Sequence, residues 1–140
     1  MNTVLVDLTI QFLRNMEYLH LVTGTSRVFC ETIMEPDIPK NFVDDVELAV
    51  SEACTNAIRH TVDADASAMV IVHFRMYETE LVVEISDQGS GFEFAEVVEP
   101  AFDQHPEGGY GLYIIKSVMD EVHYTRGEEM NTLTMKKYLK

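Results

Sequence analysis

The stretch AMVIVHFRMYETELVVEISDQ, residues 68–88, constrains this chain more than any other. Two runs rich in Val, Ile, Phe and Tyr meet at YETE, and together they read as a β-hairpin. Upstream, VLVDLTI alternates loosely, with Val4, Val6 and Leu8 on one side, and reads as a first strand. Helical periodicity follows from about Met16 to Ile33, is broken by the two prolines of EPDIPKN, and resumes from about Phe42 to His60. VDADASA is a loop. Beyond the hairpin, residues 96–109 are polar and irregular, with Pro100 and Pro106. YGLYIIKSVMDEV then predicts a third helix, and HYTRG with NTLTMKKYLK a closing hairpin. The order β, α, α, β, β, α, β, β predicts one α+β domain over residues 1–140. It is a two-layer sandwich, a mostly antiparallel mixed sheet covered on one face by three helices. The charges of KKYLK would protect an edge position of that sheet.

Charge narrows the partners. The net charge is −14, and phosphate-backbone binding is driven by Lys and Arg, so no direct nucleic-acid contact is expected. Such a chain can still hold a phosphorylated small ligand, because the Debye length in the cell is about 8 Å. With lysines scarce, that site would need backbone donors and a metal ion. No apolar run approaches the roughly 18 residues of a membrane span. MNTVLVDLTI has no basic region ahead of its apolar residues, so it reads as a strand rather than a signal peptide. Cys30 and Cys54 fall in predicted helices and are expected as free, buried thiols in a reducing cytoplasm.

Three stretches could carry chemistry. In SEACTNAIRH, Asn56 lies about 40° from Glu52 and Arg59 about 20° to the other side around a helix. Val43, Val46, Val50, Ala53, Cys54, Ala57 and Ile58 take the opposite arc. The polar seam is either a solvated helix face or one wall of a site. DQGSGF, Asp87 to Phe92, follows a strand; its spaced glycines make a turn or let a ligand approach the backbone. In EGGYGLYIIKSVMDEV, Gly108, Gly109 and Gly111 precede a helix. Free N–H groups and the helix dipole make such an N-terminus an anion site, unless the stretch is simply a loop entering a core helix. It is neither a Walker A loop nor a dinucleotide fingerprint.

Taken in order, EACTN, DQGSG and GGYGL resemble the N, G1 and G2 boxes of the GHKL nucleotide-binding fold, shared by gyrase-type ATPases and sensor histidine kinases. The resemblance covers nearly the whole chain. AVSEACTNAIRHT and GGYGLYIIKSVMDEV are especially similar to stand-alone anti-sigma-factor serine kinases of the RsbW and SpoIIAB type. That resemblance implies a homodimer that sequesters a sigma factor and phosphorylates a serine of a STAS-type anti-anti-sigma protein, using ATP and Mg²⁺. It implies Glu52 as general base and Asn56 as the oxygen ligand of Mg²⁺, which takes few protein ligands. Asp87 would accept from the adenine amine, with Gly89 and Gly91 passing under the base. Gly108, Gly109, Tyr110, Gly111 and Leu112 would line the phosphates, and Thr132 would supply an adenine-side hydroxyl. In this family the first helix contacts the sigma factor through an arginine; the nearest candidate is Arg27, with Thr23 as the other alignment. A competing reading keeps the nucleotide and the partner switching but drops the kinase activity.

The remaining polar residues carry less. Arg59 and His60 read as a solvated helix end, and His105 as a loop residue in a short lid over 99–110. His20, His73 and His123 show no metal-ligand spacing. Met69, Met76, Met119 and Met135 read as core filler.

Overall fold

The computed structural model describes residues 3–33, 38–59, 68–88 and 110–139. Strand β1 (Val4–Leu13) leads through a 3-10 turn (Met16–Tyr18) into helix α1 (Leu19–Glu31). Helix α2 (Phe42–Arg59) is followed by β2 (Met69–Tyr77) and β3 (Glu80–Asp87). Helix α3 (Gly111–Val118), β4 (Glu121–Arg126) and β5 (Asn131–Tyr138) complete the order that the sequence predicts.

The five strands form one sheet in the order β1-β2-β3-β5-β4. Each of its four pairings is antiparallel, so the expected mixed sheet contains no parallel neighbours among the described residues. β3 and β4 run in the same direction, since both oppose β5, and β5 lies between them. α3 lies between these two strands in the chain.

Strand alternation decides which residues meet the helices. Val70, Val72, Phe74 and Met76 of β2 are buried, as are Leu81, Val83 and Ile85 of β3 and Leu133 and Met135 of β5. Phe74 packs on Phe29 of α1 with ring centroids 5.3 Å apart. α2 contributes Val46, Ala49, Val50, Ala53, Cys54, Ala57 and Ile58 to the same core. Asp44 and Asp45 in its first turn and Arg59 in its last complement the helix dipole. Of the four methionines assigned to the core, Met76, Met119 and Met135 are buried and Met69 is partly so.

Two expectations need correction. The third helix stops at Val118, short of the predicted Val122, because Met119 turns extended and Asp120 N–H bonds Lys136 O at 2.9 Å. The Asp120 carboxylate also accepts from Tyr138 N–H at 2.7 Å. Sheet pairing thus claims Glu121 and Val122 for β4. Nor do the terminal lysines guard an edge, since β5 is an interior strand. Lys136 ion-pairs with Glu80 and Glu121, whereas Lys137 falls on the helix-covered face and is buried.

Both cysteines are free and buried. Burial pushes each thiol up from 9.0 to about 12. The protonated thiol is thus favoured in the folded state. Its stabilising contribution is complete below pH 9.0 and is lost as pH rises through about 12. At neutral pH a thiol reagent is expected to label neither cysteine until denaturant is added; labelling of the folded protein would show that the helices open locally.

Candidate functional site

The polar seam of α2 divides in the structure. Arg59 is exposed and Glu52 is half-buried, whereas Asn56 is only 8% exposed. Asn56 is buried because the N-terminus of α3 packs over it. A β-carbon added at Gly111 would lie 3.0 Å from Glu52 Oε2 and 3.2 Å from both Oδ1 and Nδ2 of Asn56. A side chain at Gly111 would be in tight contact with both polar groups, which would have to give by a few tenths of an ångström to admit it. Two of the sequence motifs, far apart in the chain, meet at this point.

α3 begins without a side-chain cap. Its first intrahelical bond is Ile114 N–H to Tyr110 O, at 2.9 Å. The N–H groups of Gly111, Leu112 and Tyr113 therefore have no partner within the helix, and the helix dipole concentrates positive potential around them. Opposite stand a carboxylate and a carboxamide. Among the described residues no hydrogen bond engages the Asn56 side chain. A buried amide in that state is suited to an external partner.

The second motif singled out by the sequence begins at the end of β3. Asp87 is 6% exposed and accepts a hydrogen bond from Asn131 Nδ2 at 3.3 Å. Asn131, 3% exposed, stands directly across from Asp87 in the β3–β5 register. Thr132 does not join them. Alternation turns it to the other face of the sheet, where its Oγ1 lies 2.9 Å from Ser86 Oγ. The motif resemblance pointed to the hydroxyl; strand parity, readable in NTLTMKK, would have chosen Asn131. Gly89, Gly91, Gly108 and Gly109, together with His60, His105 and the lid up to residue 109, lie outside the described residues. Tyr110 is half-buried, and Gly111 and Leu112 are buried at the start of α3.

Residues 18–137 match the histidine kinase-like ATPase domain. The chain belongs to that family. Solved structures share the fold. A crystal structure of the RsbU and RsbW domains of a Mycobacterium tuberculosis protein superposes with a TM-score of 0.71 at 18% identity. It covers 96% of this chain and 32% of that one. The histidine kinase domain of a blue-light activated histidine kinase from Erythrobacter litoralis gives 0.56 at 20% identity, covering 88% of this chain and 60% of the other. In sequence, the chain is similar to Serine-protein kinase RsbW of Bacillus subtilis, 36% identical over 105 residues. The RsbW of Bacillus velezensis is 37% identical over the same length. Each alignment takes in 69% of this chain, which spans 65% of the length of the relatives it matches.

A second concavity, about 330 Å³, lies between α1 and α2 and is lined by His20, Thr23, Asp44, Glu47 and Ser51 among others. Arg27 sits beside it, its Nε 2.7 Å from Glu47 Oε2 and its Nη2 2.5 Å from Asp44 Oδ1. Those two carboxylates hold the guanidinium charged. The arginine considered for partner contact is thus bound within the chain, joining α1 to α2. Thr23 lines the concavity directly, with its hydroxyl 3.4 Å from His20 O. His73 bridges the open sheet face, its Nε2 2.6 Å from Asp7 Oδ1, which fits its structural reading. Among the described residues no cluster of His, Cys, Asp and Glu could hold a metal ion, and no helix is long and apolar enough to cross a membrane.

Proposed function

We propose that this protein is an ATP-dependent serine-protein kinase and anti-sigma factor. In this reading it sequesters a sigma factor and phosphorylates a serine of a STAS-type antagonist, acting as a homodimer in the cytoplasm. The observation that carries the reading is the convergence of Glu52 and Asn56 on Gly111. It joins a base, a metal-ligating oxygen and an anion-binding helix start at one point.

The donor set fits Mg²⁺·ATP. The Asn56 carboxamide is a hard oxygen donor in a cradle that glycine keeps open, and Mg²⁺ accepts one protein ligand alongside water and phosphate oxygens. The backbone N–H groups of Tyr110, Gly111 and Leu112, with those of Gly108 and Gly109, receive the phosphates. Asp87 accepts from the adenine amine while Asn131 fixes its carboxylate. Gly89 and Gly91 let the chain pass close to the base. Bound Mg²⁺·ATP supplies the γ-phosphoryl group; Glu52 takes the proton of the acceptor hydroxyl. Phosphoryl transfer needs mainly positioning and charge stabilisation, which these groups provide. The concavity beside Ser51 adjoins Glu52 in the chain, and a partner seated on α1 and α2 would approach the site from there.

The test is incubation with Mg²⁺·ATP and the cognate STAS-type protein, read as phosphoserine on the acceptor. Bound nucleotide without phosphoserine would favour the competing reading, a nucleotide-gated partner switch. Asp87→Asn is expected to weaken ATP binding by about tenfold or more, as loss of one charge-assisted hydrogen bond does. Unchanged affinity in titration calorimetry would remove Asp87 from the adenine contact.

A further inference from the structure

Lys137 is a charged residue on the core face of the sheet. It occupies the position after Leu133 and Met135 in the buried row of β5 and is 7% exposed. Its ammonium has three partners. Nζ donates to Val118 O, the last carbonyl of α3, at 2.6 Å. It lies 3.4 Å from Asp45 Oδ2, in the first turn of α2. It also stands 5.9 Å from the centroid of the Phe42 ring, at the first residue of α2. A cation at a helix C-terminus and an anion in a helix first turn are each favoured by the helix dipole. Lys137 therefore binds the end of α3 to the beginning of α2.

The opposite ends of the same two helices form the candidate site. From Asp45 to Glu52 on α2, and from Gly111 to Val118 on α3, the rise is about 10.5 Å, or two turns. Lys137 joins Asp45 to Val118, and the Gly111 cradle joins Glu52 to Gly111. The helices are thus antiparallel, of matched span, and fixed at both ends. At the site end the fit is close, since a β-carbon at Gly111 would already be in tight contact with Glu52 and Asn56. A slip of α3 by a fraction of a turn would close the cradle or open it. Apolar packing of α3 through Leu112 and Ile115 resists separation but is weakly directional. The ammonium, with a fixed carbonyl and a fixed carboxylate, supplies direction.

We propose that Lys137 is a positioning residue for the phosphate end of the site. It sets the register of α3 against α2, and through it the placing of the Gly111 N-terminus beside Glu52 and Asn56. The inference rests on the nucleotide reading above. It makes a distinctive demand: the adenine end, Asp87 and Asn131, is built on β3 and β5 and does not depend on the register of α3.

The experiment measures binding of Mg²⁺·ATP and of adenosine to the full chain and to K137M, K137R and D45N. K137M is expected to lose about tenfold in Mg²⁺·ATP affinity, within the usual range of coupling through packed elements, and to keep adenosine affinity within about twofold. K137R, which keeps the charge and the donor, recovers most of the loss. D45N, which removes one partner only, shows the same selective loss to a smaller degree and decides the matter if K137M fails to fold. Equal loss for both ligands, no loss for either, or no recovery in K137R would overturn the inference while leaving the nucleotide reading intact. Failure of the wild-type chain to bind Mg²⁺·ATP would overturn both.

Discussion

Glu52→Gln is expected to lower phosphoryl transfer to the acceptor serine by about 10²–10⁴-fold, the usual contribution of a positioned general base. Glutamine keeps the size and the hydrogen-bonding reach of the side chain but cannot take a proton at neutral pH. The substitution changes little else. Glu52 is half-buried, and among the described residues it makes no ion pair that its neutralisation would break. Removing its charge from beside the start of α3 also removes a competitor for the phosphates. Mg²⁺·ATP affinity should therefore hold or rise slightly. Transfer is read as the single-turnover rate on the phosphoserine product, with nucleotide affinity measured separately. Transfer at the wild-type rate would mean that Glu52 is not the base. A loss confined to binding would assign it to the nucleotide instead.

Where the sequence was informative, the reason was periodicity or motif order. The alternation in residues 68–88 marks two strands with the correct connection, because a half-covered sheet must alternate. The helical arc of Val46, Val50, Ala53 and Ala57 is buried as its spacing implies. Glu52, Asn56 and Gly111 are recognisable by their order along the chain, but their meeting is a tertiary fact. The closeness of the cradle, and the burial of Asn56 on a seam otherwise polar, follow from α3 packing across α2. Other features were set by long-range pairing that a local pattern does not contain. SVMDEV is a good helix continuation, yet Asp120 is bonded to two residues of β5, which ends α3 and starts β4. KKYLK looks like edge protection only while the strand order is unknown. Once β5 lies between β3 and β4, alternation sends Lys136 to one face and Lys137 into the core. Parity in the same strand exchanges Thr132 for Asn131 beside Asp87.

Asn56→Leu is expected to move stability and function in opposite directions. Leucine shares asparagine's branching at Cγ, though it is the larger side chain, and replaces a polar group that is 8% exposed and makes no side-chain hydrogen bond among the described residues. Complete burial of such a group without a partner costs about 1–3 kcal/mol by mutational measure, and the Asn56 amide, which keeps some contact with solvent, bears part of that cost. An apolar isostere is neutral or stabilising where no partner is left behind. The thermal midpoint should therefore stay level or rise by a few degrees, as about 1 kcal/mol does in a domain of this size. Mg²⁺-dependent ATP binding should fall by at least about tenfold, because Mg²⁺ has few protein ligands to lose. Binding of ATP in EDTA, which does not use the carboxamide oxygen, should change much less. The combination separates two explanations of the buried amide. A structural amide would lose stability on replacement and affect both binding measurements through it. A ligand held ready at a cost in stability, as functional groups commonly are, would show a protein as stable as before that no longer distinguishes Mg²⁺·ATP from free ATP.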